Sequence, residues 1–138
     1  LHNVELLIHV FAQEKILNSI IENIRNSEEF FSLGRREDLV RLDEVKMIDF
    51  EQLDLDEESD IFILRYSAYI PKFYNYEAIT GINYDLNFKY NVKNGVREWE
   101  RIKVIYAEKG RNAVSNGKVY VDQGNDIIFF NRKVEEIL

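Results

Sequence analysis

Apolar residues alternate at the start of the chain: Val4, Leu6, Ile8 and Val10 are separated by Glu5, Leu7 and His9, the period of a strand with one buried face. From Gln13 the period changes. Ile16, Leu17, Ile20, Ile21 and Ile24 form the apolar stripe of a helix whose other face carries Glu14, Lys15, Asn18, Glu22 and Asn23, with fraying expected near Asn26 and Ser27. Gly34, in Ser-Leu-Gly-Arg-Arg-Glu-Asp, predicts a loop, because glycine accepts a tight or left-handed backbone. Strand character resumes at Val45, Met47 and Phe50, where apolar residues are separated by Lys46 and Asp49.

A strand-helix-strand unit normally crosses over right-handed and leaves its two strands parallel in one sheet. Residues 1–50 therefore predict the later part of a ferredoxin-like, split β-α-β domain, with the rest expected before Leu1. Residues 51–138 read mostly as β structure. Ile61 to Ile70 is a strand ended by Pro71, the only proline. Asn94-Gly95, between Tyr90-Asn91-Val92 and Trp99-Glu100-Arg101-Ile102, predicts a hairpin, since a type I′ turn needs positive φ at both central residues. Lys118 to Val121 and Ile127 to Phe130 predict a second. The expected class is α+β: a partial ferredoxin-like unit followed by a small antiparallel β-rich C-terminal region.

Composition narrows the function classes. At 138 residues, 46% hydrophobic and 31% charged, the chain is long enough for a real core. No stretch approaches the roughly 20 apolar residues that span a bilayer, and none reads as a signal peptide, so a soluble chain without membrane partners is expected. The chain has no cysteine, which excludes disulfides and thiolate metal sites and leaves the cytoplasm as the default location. Because Leu1 opens directly into a strand-like alternation, the chain is expected to be a piece of something longer.

A net charge of -7 argues against a nucleic-acid binder. The acid is concentrated, however, between Asp49 and Asp60, a segment without Lys or Arg. The remainder is nearly balanced and carries a basic cluster at Arg35, Arg36 and Arg41. Adjacent guanidinium groups in a glycine loop suit a phosphate. The residues alone favour a plainer reading, in which Gly34 ends a turn and the arginines pair with Glu37 and Asp38. The loop has neither the P-loop nor the dinucleotide glycine pattern.

His2 and His9 are the only imidazoles, and neither sits in a catalytic or metal-binding motif; His9 is expected to face solvent or a partner. The carboxylates from Asp54 to Asp60 alternate as in a calcium loop, but Ser59 replaces the required glycine and Arg65 the bidentate glutamate. No catalytic residue, metal or cofactor is therefore expected. Among the aromatic residues, Phe62, Tyr106 and Phe129 read as core, and the segment around Phe73, Tyr74 and Tyr76 as the better recognition surface. Lys89, Lys93, Arg97, Arg101 and Lys103 flank the Asn94-Gly95 turn, where a solvated hairpin face is the simpler reading and a second basic surface the alternative.

Taken in order, VELLIHV, the amphipathic helix, SLGRREDLVRLDEVK, AYIPKFYNYEAITGINYDLNFKYN, REWERIKVIYAEKG and VYVDQGNDIIFFN resemble the RAMP-superfamily CRISPR subunit that caps the guide RNA's 5′ end in type I Cascade, type I-B most closely. The resemblance runs along nearly the whole chain, and LGRRED followed by V-R-x-D-E-V is its most specific part. It implies a ferredoxin-like start followed by a β-rich region, and places the superfamily's RNA-contacting glycine loop on Gly34, Arg35 and Arg36, with Arg41 beside them. The opening strand, first helix and hairpin thumb would precede this chain.

The resemblance further implies a noncatalytic scaffold for the CRISPR RNA 5′ handle in antiviral defence. Its partners would be the Cascade backbone and large subunits, with target DNA reached only through guide pairing. The alternative is a metal-independent endoribonuclease that processes precursor RNA, as in the type I-C branch. The tyrosine, lysine and histidine constellation of that branch has no match here.

Overall fold

The computed structural model describes residues 4–59 and 61–136, which divide into two compact units, Leu1–Ile48 and Asp49–Leu138. In the first unit, helix α1 spans Glu14–Arg25. Its backbone closes through Asn26 N–H onto Glu22, with Glu14 in the first turn and Arg25 in the last, each placed favourably for the helix dipole. Two-residue strands follow, β1 at Phe31–Ser32 and β2 at Leu39–Val40, paired antiparallel.

The second unit carries β3 (Phe50–Leu55), β4 (Phe62–Ile63), β5 (Ala68–Pro71), a 3-10 turn (Lys72–Tyr74), β6 (Ile82–Lys93), β7 (Val96–Ala107), β8 (Ala113–Val114), β9 (Gly117–Asp122) and β10 (Ile127–Ile128), and ends in a 3-10 turn at Val134–Glu136. Its sheets have the orders β10-β9-β3, β4-β8 and β5-β7-β6, and every described pairing is antiparallel.

The ferredoxin-like expectation is overturned. Residues 4–12 and 41–49 form no strand, so no β-α-β crossover exists among the described residues, and the architecture is mainly β with one α-helix. The physical reason is the missing partner. Alternation specifies which face of a strand would be buried, but a strand exists only when a neighbour takes up its N–H and C=O groups. Among the described residues Val4, Leu6, Ile8 and Val10 have no such neighbour; all four are exposed, and α1 buries none of its residues.

The second unit closes properly. Val119 and Val121 on β9 bury against Leu53 and Leu55 of β3, the apolar alternates of an otherwise acidic strand. Leu64, Ile70 and Ala107 form an adjoining cluster, and Tyr76, Ile79, Ile127 and Phe129 pack against both. On the other face of β9, Tyr120 meets Phe50 and Phe130 edge-on at 5.9 and 5.6 Å. The strand expected over Ile61 to Ile70 is two strands. Between them Leu64 bonds both ways, its N–H to the Asn112 carbonyl and its carbonyl to Gly110 N–H, as the chain passes from β8 to β7.

The Asn94-Gly95 hairpin forms as expected, with φ 50° and 75° at the turn, and is longer than the pattern suggested, at 12 residues per strand. β5 pairs only with Val104–Ala107, so beyond Lys103 the β6–β7 pair continues as a two-stranded ribbon. Residues 89–101 of that ribbon are all exposed. The second expected hairpin is present as β9 and β10, closed by the Asp122 carboxylate, which accepts the N–H groups of Gly124 and Asp126.

Candidate nucleic-acid interface

In the first unit, β1 and β2 present the Gly34 loop. Leu33 N–H donates to the Asp38 carbonyl at 3.0 Å and Asp38 N–H to that of Arg35 at 3.1 Å, a tight closure that Gly34 accommodates at φ 79°. The four residues predicted to hold phosphate are not equivalent. Arg35 is a bidentate donor to Asp38, at 3.0 and 3.2 Å, and lies 3.7 Å from Glu37. Arg41 holds Asp43 at 2.6 Å, and their hydrogen bond, reinforced by charge attraction, raises the guanidinium pKa and lowers the carboxyl pKa. Arg36 is exposed and pairs with no carboxylate among the described residues. Two of the three guanidinium groups are thus already occupied, and Arg36 is the one available to a ligand. Arg41 also borders an open apolar groove with Phe30, Phe31 and Leu39.

In the second unit, the β6–β7 ribbon concentrates positive charge on one face. Tyr90 lies opposite Trp99 and Val92 opposite Arg97, so all four project to the same side. The rings of Tyr90 and Trp99 are 5.0 Å apart, and the Arg97 guanidinium sits 4.7 Å over Tyr90. Steps of two along β7 add Arg101 and Lys103 to this side, and the same side continues inward as Ile105 and Ala107 into the core. Arg97, Arg101 and Lys103 make no ion pair among the described residues, although Asp85 stands directly across from Lys103 on this side. The opposite side is self-neutralised, with Lys89 on Glu100 at 3.3 Å and Lys93 on Glu98 at 3.1 Å.

Of the aromatic segment expected to form a recognition surface, only Phe73 is free to do so. Tyr74 and Tyr76 stack on each other at 5.4 Å, and their hydroxyls donate to the carbonyls of Phe130 and Lys118. Burial raises both phenol pKa values, so both rings are structural and stay protonated. Phe62, Tyr106 and Phe129 are partly buried. His9 is half-buried, and His2 lies outside the described residues.

Among the described residues no three acidic or imidazole side chains converge. Asp56 spends its carboxylate on the Ser59 hydroxyl at 2.8 Å and Glu58 N–H at 3.0 Å, which lowers its pKa; Asp60 lies outside the described residues. No helix among the described residues is long and apolar enough to cross a membrane.

The one-sidedness of the ribbon was not legible as a site in the sequence. Its signal is the spacing Arg97-x-Trp99-x-Arg101-x-Lys103, which acquires meaning only with the register and length of the two strands. Comparison of the chain with known protein families, curated proteins and solved structures finds no match.

Proposed function

We propose that this chain is a noncatalytic RNA-binding scaffold, and that its RNA is the 5′ handle of a CRISPR guide held within a type I Cascade complex. The observation that carries the reading is the ribbon face on which Arg97, Arg101 and Lys103 stand free beside a Tyr90–Trp99 pair. Unpaired cations neutralise backbone phosphates and exposed rings stack on bases, a combination suited to single-stranded RNA. Folding thus sets apart a local cationic face within a chain of net charge -7, and the acidic β3 strand lies in another sheet. In the first unit the free Arg36 on the Gly34 hairpin supplies a separate phosphate contact, and Arg35 and Arg41 join it only by leaving Asp38 and Asp43.

The handle assignment rests on the sequence resemblance, and the RNA-binding assignment on the ribbon. Binding of fluorescent handle RNA and a scrambled control, followed by anisotropy, tests both. Preference for the handle without cleavage supports the full reading, and equal affinity for both oligonucleotides removes the handle. Handle cleavage abolished by a 2′-deoxy substitution at the cut site would replace the scaffold with an endoribonuclease.

A further inference from the structure

We propose that the root of the ribbon holds a pocket for a single unstacked nucleobase, an inference that rests on the RNA-binding reading and assigns a place to one base of the bound strand. A cleft of about 290 Å³ opens there. Phe73, on the 3-10 turn after β5, lines one part, and its ring leans on Tyr74 at a centroid distance of 4.6 Å. Phe88 lines another. It is the extra residue of β6 where the register slips between Asn87 and Lys89, a bulge of the kind that re-aims a side chain beside functional sites.

The polar lining suits a nucleotide. Lys89, Arg101, Arg132 and Lys133 reach the cleft alongside Glu100 and Glu136; Lys89 is held by Glu100 at 3.3 Å, and the other three cations pair with no carboxylate among the described residues, so the lining stays net cationic. Asn131 brings an amide able both to donate to and to accept from a base edge. The volume lies just below the roughly 300 Å³ at which small-molecule sites begin, enough for a base whose sugar and phosphate stay at the cationic rim. Arg101, from the ribbon's basic face, lines the cleft together with Lys89 and Glu100 from the ion-paired side, so the cleft sits at the edge between the two.

The test is photocrosslinking of the full chain to a short RNA carrying 4-thiouridine, with the crosslinked peptide identified by mass spectrometry. It is combined with affinities of Phe73→Ala and Phe88→Leu for the same RNA and for a copy with one abasic site. Crosslinks on peptides containing Phe73 or Phe88 are expected, with about tenfold weaker binding by each variant, the size of a lost base–aromatic stack. That loss should vanish on the RNA whose abasic site lies at the crosslinked position. Phe73 is exposed, so its replacement reports on the pocket even if the Phe88 variant is unstable. RNA binding that depends on Arg97 but leaves both variants unaffected would overturn the pocket and spare the RNA-binding reading. Absence of RNA binding at low salt would remove both. Equal competition by polyglutamate would assign the cations to an acidic chain and overturn the base pocket.

Discussion

At the scale of single residues, backbone geometry makes the sharpest demands. A Cβ on Gly81 would run into the Tyr106 carbonyl where β6 begins to pair with β7. The obstacle is backbone and cannot swing aside, so Gly81→Ala is expected to cost about 1–3 kcal/mol, read as a lower urea midpoint. Gly95 has open space around it but sits at φ 75°, so Gly95→Ala should cost about 1 kcal/mol for the left-handed conformation alone. The buried phenols add a pH dependence. Tyr74 and Tyr76 have folded-state pKa values raised above the unfolded value of about 10, so the fold binds their protons more tightly than the unfolded chain does. Their contribution is complete below about pH 10 and is lost as pH rises beyond it. Stability followed by circular dichroism should fall in alkali, and the fall should be shallower in Tyr74→Phe/Tyr76→Phe.

At the scale of elements, what the sequence revealed depended on how local the cause was. The Asn94-Gly95 turn was legible because its requirement is met within two residues, and α1 because its stripe repeats over 12 residues. The strand expected at Val4 to Val10 failed because a strand needs a partner that no local pattern supplies. The split of Ile61–Ile70 was equally invisible, since it arises where Leu64 bonds to Gly110 and Asn112, far along the chain. For the candidate site the same rule held. The residues around the turn were identifiable, but only the register placed Arg97, Trp99, Arg101 and Lys103 on one face and confined Lys89 and Lys93 to ion pairs on the other. Replacing Arg97, Arg101 and Lys103 together by alanine should therefore reduce the salt dependence of RNA binding by about 2 in logarithmic slope, close to 0.7 for each phosphate left without its cation.

At the scale of the whole molecule, the two units differ in how much they bury. Every buried residue among those described lies between Leu64 and Val134, and the first unit has none, although it carries the apolar stripe of α1 and an exposed Phe30. Local opening follows low burial, so limited proteolysis should cut within residues 1–48 well before it cuts within residues 49–138. Charge is also divided unevenly within the second unit, with carboxylates along β3 and free cations along one side of β7. RNA binding by a chain of net charge -7 has to be local, and must depend on the face of the ribbon rather than on total charge. The most direct test is RNA affinity, by anisotropy, of Arg97→Ala against Lys93→Ala, two single-charge losses on opposite sides of the same hairpin. The account predicts a severalfold loss for Arg97→Ala and little change for Lys93→Ala. Equal losses for the two would contradict it.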